Sequence, residues 1–125
     1  MRILVVDDAP GIGLVLGRYF ERAGHQCEHL TDAFAALERL AHGPRPDVIL
    51  IDLIMPRMGG RDLVLRLQER PETKGIAVVL ASGYEAGQDD LPPAGSFRAV
   101  VGKPFDLPEL LRELELAAAC VTHLS

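Results

Sequence analysis

The sequence predicts an α/β fold, in which a parallel β-sheet is covered by helices on both faces. Short runs of consecutive apolar residues predict strands that are buried on both faces. Between these runs, apolar residues recur every three or four positions, which is the spacing of amphipathic helices. Strands and helices alternate in this way five times along 125 residues, a length typical of one domain.

Each predicted strand is followed by a helical segment, but the fourth of these segments is poorly patterned. Residues 83–96 include Pro92 and Pro93, which cannot join the hydrogen bonding of a helix interior. Any fourth helix is therefore expected to be short or irregular. The predicted strands cover residues 3–6, 26–30, 48–51, 76–81 and 97–101, and the other helices cover residues 11–23, the stretch between 32 and 43, residues 61–70 and about 107–120.

Residues that favour helix ends flank these segments. Thr31 or Asp32 can cap the second helix, and Asp106 can cap the last one, because each side chain can accept a hydrogen bond from a free backbone N–H. Gly24 follows the first helix and is predicted to stop it.

The order of the strands follows from the handedness of the connections. Helical crossovers between parallel strands are right-handed, so strand and helix alternation gives a doubly wound (βα)5 sheet. If the chain returns to the first strand and then moves outward the other way, the order is the flavodoxin-like 2-1-3-4-5. The switch point then lies between the first and third strands, and a ligand is expected outside their carboxyl ends.

Composition limits the classes of function. A net charge of −5 disfavours direct binding of nucleic acid but is compatible with binding a cation. No apolar run approaches the ~20 residues of a membrane span, and we expect no signal peptide because acidic residues directly follow MRILVV. Cys27 and Cys120 are expected to be free thiols in a reducing cytoplasm. The histidines show no zinc-like spacing, and His25 and His29 are expected at the surface.

Five polar residues follow the predicted strands at their carboxyl ends. Asp7 and Asp8 follow the first strand, Asp52 the third, Ser82 the fourth and Lys103 the fifth. Because the carboxyl ends of parallel strands meet at one edge of the sheet, these side chains are expected to converge there. Asp52 is accordingly expected to point out from this edge instead of being buried in the middle of a strand.

This set of residues suits phosphoryl transfer. Three carboxylates at one point repel one another and need a divalent cation, for which oxygen ligands favour Mg²⁺ over zinc. A carboxylate such as Asp52 can act as a nucleophile and form an aspartyl phosphate. Lys103 can neutralise the phosphoryl oxygens, and the Ser82 hydroxyl can donate a hydrogen bond to one of them.

Four motifs in this order and spacing resemble the receiver domain of two-component response regulators over essentially the whole chain. They are LVVDD at 4–8, PDVILIDLIMPRMGG at 46–60, ASG at 81–83 and KPF at 103–105. The resemblance implies the same 2-1-3-4-5 sheet, which is the arrangement known for this family. It also implies a single receiver domain over residues 1–125, and the chain is expected to carry no output domain.

The resemblance implies a role for each residue of the site. Asp52 would be the phosphoacceptor, Asp7 and Asp8 the acidic pair of the Mg²⁺ site, and the backbone carbonyl of Ile54 a third metal contact. The resemblance assigns Ser82 as the switch hydroxyl and Lys103 as the lysine characteristic of the family.

The residue at position 100 bears on how such a domain would signal. Many receivers have an aromatic residue three positions before the lysine, but here the residue is Val100, whose side chain is small and stiff. We therefore expect residues 83–96 to carry the conformational change.

The resemblance also implies a cis peptide bond between Lys103 and Pro104, which is usual in the family. A cis bond before proline has only a small cost in free energy.

The expected partners are a sensor histidine kinase or a histidine phosphotransfer protein, and an output partner that the sequence does not identify. The domain would assist its own phosphotransfer and autodephosphorylation without being an enzyme, as a monomer or weak homodimer. It could act alone or belong to a hybrid kinase, whose receivers have a similar segment at 83–96.

Three alternatives remain from the residues. The first is a receiver-shaped interaction domain that is never phosphorylated. The second is an aspartyl-phosphate phosphatase, although its D-x-D pattern differs from the adjacent Asp7 and Asp8. The third is a flavodoxin-like nucleotide-binding or FMN-binding protein, which would need a phosphate cradle after the first strand in place of two aspartates.

Overall fold

The computed structural model describes residues 1–121, with side chains described as far as residue 119. The strands are β1 (Arg2–Val6), β2 (Gln26–Leu30), β3 (Val48–Asp52), β4 (Ala77–Ser82) and β5 (Ala99–Gly102). The helices are α1 (Pro10–Arg22), α2 (Ala33–Ala41), α3 (Gly60–Gln68), α4 (Pro71–Lys74) and α5 (Leu107–Val121), with one 3₁₀ turn at Gln88–Asp90.

The five strands form one parallel sheet in the order β2-β1-β3-β4-β5, which confirms the predicted doubly wound fold. In the register of the central strands, Val6 lies beside Ile51, and Asp52 lies beside Ala81. The carboxyl ends of β1 and β3 therefore lie side by side at the switch point of the sheet.

Alternating residues of the central strands supply two apolar layers, one on each face of the sheet. On one face, Ile49 and Ile51 pack with residues of α2 and α3. On the other face, Val48 and Leu50 pack with residues of α1 and α5. This burial on both faces explains why the strands are continuous apolar runs, and it anchors the strand ends that carry the polar residues.

The predicted helix ends are confirmed where the structure describes them. The side chain of Asp32 accepts a hydrogen bond from the Ala35 N–H at 2.7 Å, so Asp32 and not Thr31 caps α2. Asp106 likewise accepts from the Glu109 N–H at 3.2 Å. Gly24 has a φ of +91°, which stops α1 at little conformational cost.

The connection between β4 and β5 has little regular structure, as predicted. Its only described helical element is the 3₁₀ turn Gln88–Asp90, and Pro92 and Pro93 follow that turn. The one-turn helix α4 was not predicted, because four residues are too few to show a helical period. It begins at Pro71, a residue that favours the first turn of a helix.

Cys27 is a free thiol, as expected, and burial raises its pKa to about 11. The side chain of Cys120 lies outside the described residues, so the expectation for it stays a prediction. Within residues 1–121 the structure has no helix with the length and apolar character needed to span a membrane.

Candidate functional site

The carboxyl edge of the sheet brings together Asp7, Asp8, Asp52 and Lys103. Asp7 directly follows β1, Asp52 is the last residue of β3, and Lys103 directly follows β5. The backbone N–H of Lys103 donates to the carbonyl of Ser82 at 2.8 Å, which extends the pairing of β4 and β5 by one residue. This pairing directs the Lys103 side chain across the end of the sheet.

The ammonium group of Lys103 lies between two carboxylates. Its Nζ is 2.8 Å from Asp7 Oδ2 and 3.1 Å from Asp52 Oδ2. The other oxygen of Asp7 accepts the N–H of Ala9 at 2.9 Å, and the other oxygen of Asp52 accepts the N–H of Ile54 at 3.3 Å. Both carboxylates are thus fixed from two sides.

Asp52 is more buried than the sequence predicted. Its position at the end of β3 is as expected, but only 4% of the residue is exposed, and Asp7 is similarly buried at 2%. Asp52 therefore lies at the edge of the sheet, as expected, but its side chain is enclosed there and not open to solvent. Burial of a carboxylate is tolerated here because Lys103 and the Ile54 N–H both hydrogen-bond to it.

Asp8 completes a cluster of three carboxylates. One carboxylate oxygen each of Asp7, Asp8 and Asp52 lies within 4.8 Å of the others, and Asp8 is exposed to solvent. Three negative charges face the single ammonium of Lys103, so the cluster is deficient in positive charge. This donor set has the size and the hard oxygen ligands that suit Mg²⁺.

The pKa shifts express the same imbalance. Burial raises the pKa of Asp52, and the charge of Asp7 adds to this, while the hydrogen bond from Lys103 opposes it. Burial lowers the pKa of Lys103, but its hydrogen bonds and charge interactions with Asp7 and Asp52 outweigh burial, so its pKa is raised. Lys103 is therefore protonated at neutral pH, whereas burial disfavours the ionised form of Asp52.

The remaining two candidate residues lie at the border of this cluster. Ser82 ends β4 and is half-buried, and its hydroxyl donates to the carbonyl of Gly83 at 3.4 Å instead of to another site residue. Ile54 lies two residues after Asp52 and is half-buried, with its side chain packed against the apolar layer on the α2 and α3 face. The Lys103-Pro104 bond is cis, as the resemblance implied.

His29 contributes to the site, although the sequence placed it at the surface. It is half-buried, and its Nε2–H donates to the backbone carbonyl of Asp7 at 2.8 Å. Its ring lies against Gly13, where an added Cβ would be only 2.0 Å from Nδ1. The sequence contains no signal for this contact, because it depends on the parallel register, which places His29 beside Val5, two residues before Asp7.

The doubly wound sheet and the acidic cluster at its switch point define an α/β domain with a candidate site for a divalent cation. The chain belongs to the response regulator receiver domain family, whose model matches residues 3–115. Receiver domains are signalling domains of two-component systems, in which response regulators partner with sensor histidine kinases. The family assignment agrees with the resemblance drawn from the four motifs.

The chain is similar to both separate regulators and kinase-linked receivers. It is 34% identical to response regulator MprA of Mycobacterium avium (strain 104) over 122 residues, 91% of this chain and 49% of that protein. The chain thus spans about half the length of the curated relatives it matches. It is 27% identical to the signal receiver domain of a signal transduction histidine kinase from Syntrophus aciditrophicus, with a TM-score of 0.84, covering 96% of this chain and 91% of that one.

A third likeness is one of fold. The receiver domain of sensor histidine kinase PA1611 from Pseudomonas aeruginosa PAO1 has a TM-score of 0.83 at 20% identity, covering 94% of this chain and 97% of that one. That domain has a magnesium ion coordinated in its active-site cleft.

Proposed function

We propose that the chain acts as a single receiver domain that accepts a phosphoryl group on Asp52 in a Mg²⁺-dependent reaction. The donor is a phosphohistidine of a sensor histidine kinase or of a histidine phosphotransfer protein. The observation that carries the proposal is the position of Lys103 Nζ, 2.8 Å from Asp7 and 3.1 Å from Asp52. An ammonium held between two buried carboxylates at a switch point suits phosphoryl transfer better than a purely structural role.

In the proposed step, a carboxylate oxygen of Asp52 attacks the phosphorus of the phosphohistidine. The new bond is the P–O bond of an acyl phosphate, the bond that breaks is P–N, and the imidazole nitrogen leaves with the electron pair and takes up a proton. Lys103 would contact a phosphoryl oxygen while it keeps its ion pair with Asp7. The hydroxyl of Ser82, bound only weakly at 3.4 Å, can turn to donate to another phosphoryl oxygen.

The donor set fits the magnesium ion that the proposal requires. Asp7, Asp8 and Asp52 would hold it, and the resemblance to receiver domains adds the backbone carbonyl of Ile54. When bound, Mg²⁺ would neutralise charge on the phosphoryl oxygens. The raised pKa of Asp52 supports this fit, because a nearby cation favours the ionised carboxylate that acts as nucleophile.

The first experiment is intact mass spectrometry after incubation with acetyl phosphate and Mg²⁺. We expect one phosphoryl adduct that is absent in Asp52→Ala and in the presence of EDTA. Asp62→Ala is the matched control, because Asp62 is an exposed acidic residue of the nearby helix α3, and it should keep the adduct. If neither acetyl phosphate nor a phosphorylated kinase yields an adduct, the domain is an interaction module that only retains the acidic site.

Replacing Ile54 with asparagine is expected to speed loss of the phosphoryl group by about tenfold, equal to about 1.4 kcal/mol of barrier. Ile54 follows Asp52 by two residues, and its apolar side chain offers no hydrogen bond to an attacking water. An amide at this position can orient that water. The measurement is the decay of the adduct after the donor is removed, with Ile54→Leu as the apolar control. Equal decay in the two variants would contradict the role given to Ile54.

The conformational response is expected in residues 83–96 and not at Val100. Val100 is 45% exposed and too small to move between a buried and an exposed position as an aromatic ring would. The 83–96 segment, in contrast, leaves the site directly after Ser82 and has little regular structure. Backbone amide shifts should change in this segment when a phosphoryl mimic such as beryllofluoride binds. Unchanged amide shifts over 83–96 would show that the segment does not respond.

A further inference from the structure

A cavity lies away from the carboxyl edge of the sheet that carries the proposed phosphorylation site. It has a volume of about 620 Å³ and opens between the end of α3, helix α4 and the segment that leads into β5. Its lining includes Ile76 and Val78, at the amino-terminal end of β4, whereas Asp52 and Lys103 follow carboxyl ends of strands. The cavity is therefore separate from the proposed phosphorylation site, and its size is that of pockets that hold small organic ligands.

The irregular connection between β4 and β5 explains why this cavity exists. In a doubly wound sheet, a helix after β4 would cover this face, next to α3. In the described chain the connection provides only a 3₁₀ turn, followed by a loop that leads through Phe97 into β5. Ile76 and Val78 belong to the apolar layer on this face, and Phe97 packs against that layer. The floor of the cavity is thus apolar, formed by the almost fully buried Ile76 and Val78, with the half-buried Phe97 beside them.

The rim of the cavity carries two positive charges without partners. Lys74 and Arg98 are among the residues that line the cavity, and both are exposed. Within the described residues neither side chain makes a hydrogen bond or an ion pair. No acidic residue lines the cavity. A local charge of +2 therefore stands out on a chain whose net charge is −5.

We propose that this cavity binds a small amphipathic organic anion. An apolar or aromatic body would lie on Ile76, Val78 and Phe97, and a carboxylate, phosphate or sulfonate group would contact Lys74 and Arg98. Arginine offers paired donors for such groups, and lysine offers a compact charge. Contact with the apolar body removes the remaining exposed surface of Phe97 from water, while the two cations repel a cationic ligand and give a neutral ligand of the same shape no charge-assisted contact.

The test uses 2-naphthoate as the anionic probe and 2-naphthalenemethanol as its neutral counterpart. Binding is followed by two-dimensional amide NMR on the unphosphorylated protein, so the result does not depend on Asp52 chemistry. We expect saturable shifts at residues 74–78 and 95–98 with 2-naphthoate. The double variant Lys74→Gln/Arg98→Gln should bind 2-naphthoate about tenfold more weakly, because it loses charge-assisted hydrogen bonds.

The control variant is Arg22→Gln/Arg112→Gln, which also removes two positive charges, but from exposed positions on α1 and α5. It should bind 2-naphthoate like the unmodified protein. The proposal is overturned if 2-naphthoate gives no saturable shifts, if the shifts map elsewhere, or if both double variants weaken binding equally. It is also overturned if 2-naphthalenemethanol binds as tightly as 2-naphthoate, since the cavity would then be an apolar surface alone.

Discussion

Replacing Lys103 with methionine is expected to slow phosphoryl transfer to Asp52 by about a hundredfold or more. The ammonium is the only cation that contacts the two buried carboxylates among the described residues. Methionine keeps much of the length of the side chain but cannot neutralise a phosphoryl oxygen. The rate is measured as adduct formation from acetyl phosphate by intact mass, at saturating Mg²⁺.

The matched control for Lys103→Met is Arg22→Met, which removes one positive charge from the exposed end of α1. This variant should transfer at the normal rate, because charges this exposed are screened by solvent and salt. Circular dichroism should show that Lys103→Met is folded under the assay conditions, since loss of the ammonium leaves Asp7 and Asp52 facing each other. A folded Lys103→Met that transfers at the normal rate would remove Lys103 from the proposed mechanism.

Much of the site follows from the sequence because parallel strands share one carboxyl edge. The apolar runs in the sequence predict β1 and β3. Because these strands are parallel, the acidic residues at their carboxyl ends must lie at the same edge of the sheet. The sequence predicted that Lys103, Asp7 and Asp52 lie at the same edge, but it did not predict that Lys103 contacts both carboxylates. Its geometry depends on the hydrogen bond between Lys103 and Ser82, which continues the register of β5.

Features that depend on tertiary contacts were beyond the sequence patterns. The contact of His29 with the carbonyl of Asp7 requires the register of β1 and β2 and the absence of a side chain at Gly13. The burial of Asp52 depends on residues distant in sequence. The cavity beside α4 lies where the connection between β4 and β5 has no regular helix in the described chain. The sequence of residues 83–96 predicted the irregular connection but not the cavity beside it.

Replacing Gly60 with alanine is expected to destabilise the domain by roughly 3 kcal/mol. Gly60 begins α3, and its N–H donates to the carbonyl of Leu53 at 2.9 Å. An added Cβ would lie 2.6 Å from the carbonyl oxygen of Asp52 and 2.9 Å from Leu53 Cα. Both contacts are with backbone atoms, which cannot rotate away as a side chain can. The start of α3 must therefore move from the end of β3, and Asp52 is displaced with it.

Replacing Gly17 with alanine should have the opposite effect on the free energy of unfolding. Gly17 lies within α1, and an added Cβ there would meet no atom within 4 Å beyond its own helix. Alanine should stabilise the domain by up to about 1 kcal/mol, since glycine is a poor helix former. Urea unfolding gives both values, and an unchanged denaturant slope identifies them as changes in stability. If Gly60→Ala unfolds at the same urea concentration as the unmodified protein, α3 does not pack on β3 this closely, and the restraint on Asp52 must come from Lys103 and the Ile54 N–H alone.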